Sequence, residues 1–173
     1  MQSIKWIGIS SLMVVLTACG FSLRGDFSLP ASIQTIALNN TGHNATLKRT
    51  LEKRLKLYKL NILDTSTIEA PVDLNITLLP DELDRRLLSL FSTGQVAEYE
   101  LLYTVKYTLQ FAGHESQPVI FTVTREYQDD PDAVLAKSRE LDLVLGEMRQ
   151  QAADRIIRQI SSYYANLPTA PTL

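Results

Sequence analysis

An α+β fold, with one mostly antiparallel sheet of about four strands and two helices packed on one of its faces, is predicted by three features of this chain. The first is alternation: Tyr99, Leu101, Tyr103, Val105, Tyr107, Leu109 and Phe111 fall on one side of an extended run, and Glu98, Glu100, Thr104, Lys106, Thr108 and Gln110 fall largely on the other. That is a strand with one buried face. The second is a pair of helix-period stretches, residues 47–58 and 134–163, on either side of a strand-rich middle. The third is the shortness of the turn signals between strands, at residues 92–95 and 112–116, which make hairpins and so antiparallel neighbours.

The chain has 173 residues. It opens with Lys5 and an apolar stretch, residues 6–16, broken only by Gly8, Ser10 and Ser11. This is the length of a secretory hydrophobic segment and too short to span a bilayer as a helix. Leu16-Thr17-Ala18-Cys19 has the form of a bacterial lipobox, in which the cysteine thiol is acylated before cleavage, and Cys19 is the only cysteine. Residues 1–18 are thus expected to be a cleaved signal peptide and Cys19 a lipidated first residue. A lone secreted cysteine cannot form an intramolecular disulfide, and its palmitate-type acyl chains would anchor the protein stably. Gly20 follows it, in place of the Asp that retains lipoproteins in the inner membrane, so the expected location is the periplasmic side of the outer membrane. Removing Lys5 with the signal shifts the net charge from −2 to −3, which gives no reason to expect nucleic acid as a partner.

A leader, residues 19–30, precedes a single domain over residues 31–165. Residues 33–38 are a β-branched first strand, closed by Asn39-Asn40-Thr41-Gly42. Asn44 is the expected N-cap of the first helix, whose buried stripe is Leu47, Leu51, Leu55 and Tyr58. Its other faces carry Lys48, Arg49, Lys53, Arg54, Lys56 and Lys59 against Glu52. Such a run is either a solvated face or a contact for an anionic surface such as lipid headgroups. A short strand at residues 61–63 and a half-buried one over residues 72–78 follow. Pro80-Asp81-Glu82 breaks the alternation, so residues 85–88 either continue the same strand beyond a bulge or form a hairpin arm. After the long strand comes a last one, residues 119–127. Asp129-Asp130-Pro131-Asp132 then opens the second helix. Val134, Leu141, Leu145, Met148, Ala152, Ile156, Ile160 and Tyr163 form its buried stripe, and residues 166–173 are a flexible tail.

Catalytic patterns are sparse. His43 and His114 sit in turns without a metal-ligand partner, and no phosphate loop, nucleophile elbow or metal spacing occurs. No enzyme activity, cofactor or metal is expected. Lys137 stands out because it is three residues after Val134 and four before Leu141, on or beside an apolar stripe. It either snorkels to water or meets an anion.

Four motifs in order resemble one family: the segment from Cys19 to Arg24 (Cys-Gly-Phe-x-Leu-Arg), Gly94-Gln95-Val96-Ala97-Glu98-Tyr99, Leu135-Ala136-Lys137, and the register of Met148, Ala152, Ala153 and Ile157. The chain is similar along nearly all its mature length to the lipopolysaccharide-assembly lipoprotein family LptE. The resemblance implies a non-catalytic outer-membrane lipoprotein that binds lipopolysaccharide, and that plugs and helps assemble the LptD β-barrel which delivers it to the cell surface. It also implies that Lys137 contacts lipopolysaccharide. A second family cation, an arginine two residues before the hairpin glycine, is Ser92 here. Arg85 or Arg86 would replace it only if the strand bends them toward the same end. The competing reading is a pilot lipoprotein that scaffolds another envelope complex and binds protein alone.

Overall fold

The structure is a computed structural model that describes residues 29–42, 45–63, 71–129 and 134–167. Along them run β1 (Thr35–Asn40), α1 (Thr46–Leu55) with a 3-10 turn (Lys56–Tyr58), β2 (Asn61–Leu63), β3 (Leu74–Leu78), β4 (Glu82–Leu90), β5 (Val96–Phe111), β6 (Gln117–Gln128) and α2 (Val134–Ala165). Cys19, His43, Asn44, residues 130–133 and the tail beyond residue 167 lie outside the described residues.

The alternating run is the spine of the sheet. β5 pairs antiparallel with β6 along one edge, and with both β3 and β4 along the other. Leu78 faces Tyr107 and Glu82 faces Thr104, so four steps on one strand match three on the other. β3 and β4 are therefore one strand interrupted by a bulge at Pro80, where a residue without an N–H costs no ladder bond. Beyond the bulge the same strand becomes the hairpin arm, so the two readings of residues 85–88 are both realised.

The α+β class and the placement of both helices on one face hold. The sheet, however, has six strands rather than about four, and it is mixed: β1 pairs in parallel with β2 and with β3. For β2 the cause is α1, which carries the chain back along the sheet after β1, so that the next strand starts from the same end.

Leu47, Leu51 and Leu55 of α1 and Met148, Ala152, Ile156 and Ile160 of α2 are buried in one core with Ile36, Leu38, Leu74, Ile76 and the odd-numbered residues 101–111 of β5. Arg54 ties the helices together through Asp154 at 3.1 Å. Four expected core positions differ. Tyr58 is exposed because the helix tightens into the 3-10 turn and leaves it through Lys59 at φ 58°, and Leu141, Leu145 and Tyr163 are only partly buried.

The sixteen residues of β5 give the molecule a length of about 50 Å. Its two ends differ. One holds the turn between β5 and β6, the start of the described chain and the 3-10 turn. The other holds the β4–β5 hairpin tip and the first turns of α2.

Candidate functional site

The hairpin end collects what the core leaves exposed. Eight of the nine β4 residues are exposed, and the exposed apolar side chains Leu83, Leu87, Leu88, Leu90 and Phe91 fall on this arm and its tip. The tip is closed by hydrogen bonds that the Phe91 N–H donates to the Gln95 carbonyl at 2.8 Å and the Gly94 N–H donates to the Phe91 carbonyl at 2.9 Å. Gly94 has φ 84°, a left-handed conformation that a side chain would strain.

Register decides which way each cation of this end points, because residues paired across strands share a face. Arg85 faces Leu101, and Leu101 faces Arg125. Leu101 is buried under the helices, so Arg85 and Arg125 flank it on the helix side, roughly 10 Å apart across β5. The next row on that side is Leu87, Tyr99 and Tyr127. Arg86 belongs to the opposite face, where it forms an ion pair with Glu100.

Lys137 reaches the same row from above. Its ammonium lies 5.3 Å from the centre of the Tyr127 ring and 2.9 Å from Glu140, with 20 % of the side chain exposed. The Tyr127 hydroxyl donates to the Lys137 carbonyl at 2.8 Å, which pins the start of α2 to the end of β6. Burial raises the Tyr127 phenol above its ordinary pKa. The positive charges of Lys137 and Arg85 pull against that rise, while Glu140 and Asp129 add to it.

The structure thus places Lys137 over Tyr127 and Arg85 one row away on the same side of the sheet, and puts Arg86 on the opposite side. Ser92 lies in the hairpin turn beyond β4, which ends at Leu90. Arg125 and Tyr127 escaped the sequence reading. Their signal is the continued alternation of β6, in which Val123 and Tyr127 are buried while Arg125 between them is exposed.

Chemically, this is a cationic rim on an apolar and aromatic floor, with Leu83, Leu87 and Tyr99 beside Arg85, Arg125 and Lys137. Such a surface suits an amphiphile that carries phosphate, since guanidinium and ammonium groups bind phosphate oxygens through charge-assisted hydrogen bonds. Among the described residues no group of His, Cys, Asp or Glu side chains is arranged to hold a metal ion, and no helix is long and apolar enough to cross a membrane.

The family model described as LptE, lipopolysaccharide-assembly, matches residues 33–160. The LPS-assembly lipoprotein LptE of Pectobacterium atrosepticum is 35 % identical over 153 residues, covering 88 % of this chain and 82 % of the relative. That of Yersinia pestis is 31 % identical over 155 residues, covering 89 % and 74 %. The crystal structure of rare lipoprotein B from Shewanella oneidensis superposes with a TM-score of 0.68 at 40 % identity, over 77 % of this chain and 98 % of that one. A lipoprotein B from Nitrosomonas europaea, at 24 % identity and a TM-score of 0.67 over 85 % of this chain and 94 % of that one, shares the fold. Profile, sequence and structure converge over the whole sandwich, and the chain belongs to the lipopolysaccharide-assembly family LptE.

Proposed function

We propose that this protein is a non-catalytic lipoprotein, acylated at Cys19 on the periplasmic side of the outer membrane, that binds lipopolysaccharide and acts with the LptD β-barrel as its plug and assembly factor. The observation that carries the binding reading is that Lys137, over the Tyr127 ring, and Arg85, one row away, share the helix side of an exposed apolar end. Lipid A offers both phosphates for the cations and acyl chains for the floor. Lys137 and Arg85, with Arg125 beside them, are the proposed contacts. Arg86 faces away with Glu100 and serves as the control.

Two features support the plug reading. A sheet with helices on one face leaves the other to water or a partner, and here that open face is a mosaic of Thr104, Thr122, Thr124 and the Lys106–Glu82 ion pair at 2.6 Å. Largely polar and mixed in charge, with the exposed Ile120 beside Lys106 as an apolar exception, it matches the polar interior of an outer-membrane barrel better than lipid. The length of about 50 Å also lets a molecule tethered at one end reach through a hydrocarbon core of about 30 Å.

The test is purification of the acylated chain from outer membranes in mild detergent. Recovery of a large β-barrel protein in stoichiometric complex, together with lipopolysaccharide that is lost in Lys137→Gln, supports the reading. Recovery of a different envelope complex without lipopolysaccharide would replace it with the pilot-lipoprotein reading.

A further inference from the structure

The end of the molecule opposite the hairpin carries a second cationic surface, unrelated to the first. Between Lys48 and Lys59 the chain holds six cations and one acid, Glu52, and the fold sorts them. Arg54 is drawn against Asp154. Lys53, Lys56 and Lys59 are exposed, and Lys56 reaches Glu52 at 2.7 Å with 64 % of its side chain still open. Among these lysines stand Leu57, 72 % exposed, and Tyr58, 38 % exposed. One exposed leucine is ordinary. A leucine and a tyrosine at a helix end, ringed by three lysines, make a small amphipathic cap.

The start of the described chain lies against this cap. The Asn61 N–H donates to the Gln34 carbonyl at 2.9 Å, and Leu29, Pro30, Ile33, Tyr58, Lys59 and Leu60 line a shared hollow of about 630 Å³. Leu29 follows Cys19 by ten residues, a tether of at most about 35 Å whatever its path. Acyl chains on Cys19 would therefore hold this end, and not the hairpin end, close to the leaflet.

We infer that Lys53, Lys56, Leu57, Tyr58 and Lys59 dock onto the anionic phospholipid headgroups of the leaflet that holds the Cys19 acyl chains. The inference rests on acylation of Cys19 as proposed above. The tether supplies a high local concentration of membrane, the lysines neutralise headgroup charge, and Leu57 and Tyr58 insert at the headgroup level. Docking would hold this end at the headgroup level and so set which end of the long axis enters the barrel proposed above, which tethering alone cannot do.

The experiment uses the acylated full chain, whose Cys19 thiol is blocked, so that a single added cysteine takes a polarity-sensitive dye. Leu57→Cys and, as control, Thr93→Cys at the hairpin tip are labelled and reconstituted into phosphatidylethanolamine vesicles with or without 20 % phosphatidylglycerol. The expected result is a blue shift and quenching by brominated lipid at position 57 in the anionic vesicles, and neither at position 93. Adding Lys53→Gln, Lys56→Gln and Lys59→Gln should lower the docked-to-undocked ratio on the order of a hundredfold, about fivefold per lysine, while the chain still floats with the vesicles. If the chain floats but position 57 remains aqueous, or becomes protected only when another protein co-purifies, this inference fails alone. If the chain does not float and its Cys19 is unmodified, the acylation reading fails and the inference falls with it.

Discussion

Replacing Lys137 with Gln separates a ligand contact from a packing residue, because the structure limits what the lysine does for folding. The substitution removes an i,i+3 ion pair with the half-exposed Glu140, about 0.2 to 0.5 kcal/mol. It also removes an ammonium 5.3 Å from the Tyr127 ring centre, about 0.5 to 1 kcal/mol. The hydrogen bond from the Tyr127 hydroxyl ends on the backbone carbonyl of residue 137 and survives. These two losses together come to about 1 kcal/mol, or a fall of roughly 2 to 4 °C in Tm for a domain of this size. Loss of a charge-assisted contact with a lipid A phosphate is worth about 1.5 to 3 kcal/mol, or roughly ten- to 150-fold in affinity. Thermal unfolding and lipopolysaccharide titration on the same preparation read both quantities. Arg85→Gln should weaken binding in the same direction, and Arg86→Gln should leave it unchanged. Unaltered affinity in both Lys137→Gln and Arg85→Gln would refute the site. A Tm drop of more than about 10 °C in Lys137→Gln would show that the lysine serves the fold instead.

Three further outcomes follow from the scaffold. Tyr103 is buried and its hydroxyl donates to Asp81 at 2.6 Å, just past the Pro80 bulge, so Tyr103→Phe should cost about 1 to 2 kcal/mol. A double-mutant cycle with Asp81→Ala, read by denaturant unfolding, should give a coupling that makes up part of that loss, since the Tyr103 hydroxyl also meets Arg149. Asp73 accepts backbone N–H bonds from Gln34 and Thr35, both at 2.8 Å, and these hold its carboxyl below the usual carboxylate value. Its folded pKa is depressed, so its contribution to stability is fully present above the unfolded value of about 3.9 and is lost as pH falls through the lower folded value; Tm measured from pH 5 downward should decline more steeply in the wild type than in Asp73→Asn. Gly94→Val places a β-branched residue at φ 84° and should loosen the tip by about 1 to 2 kcal/mol, seen as faster amide exchange over residues 91–95 with little change in Tm.

The elements that were legible in the sequence are those that bury one face. β5 announces itself because its odd-numbered side chains from Leu101 to Phe111 are all in the core, and α1 and α2 show their stripes for the same reason. The parallel pairing of β1 with β2 and β3 was not legible, because periodicity reports which face is buried and not which strands are neighbours. The site is illegible for a related reason. The bulge at Pro80 inserts one residue between β3 and β4, and a one-residue shift exchanges the two faces. No count along the chain could therefore tell that Arg85 shares the helix side with Lys137 while Arg86 points away. Lys137 was visible only as a charge on an apolar stripe, and Tyr127, whose ring lies beside its ammonium, looked like one more strand residue. The proposed lipobox at residues 16–19 is read without a fold, and Cys19 lies outside the described residues.

The central claim is that the hairpin end meets lipopolysaccharide in the cell. Leu87 shares the row of Tyr99 and Tyr127, points to the helix side and is 50 % exposed, so a photocrosslinking amino acid placed there touches the floor of the site without disturbing the core. Irradiation of living cells should yield a lipopolysaccharide adduct at position 87 that weakens when Lys137→Gln or Arg85→Gln is added, and none at Ser116 at the far end. Absence of any lipopolysaccharide adduct at position 87, in a chain that is folded, acylated and in the outer membrane, would contradict the account.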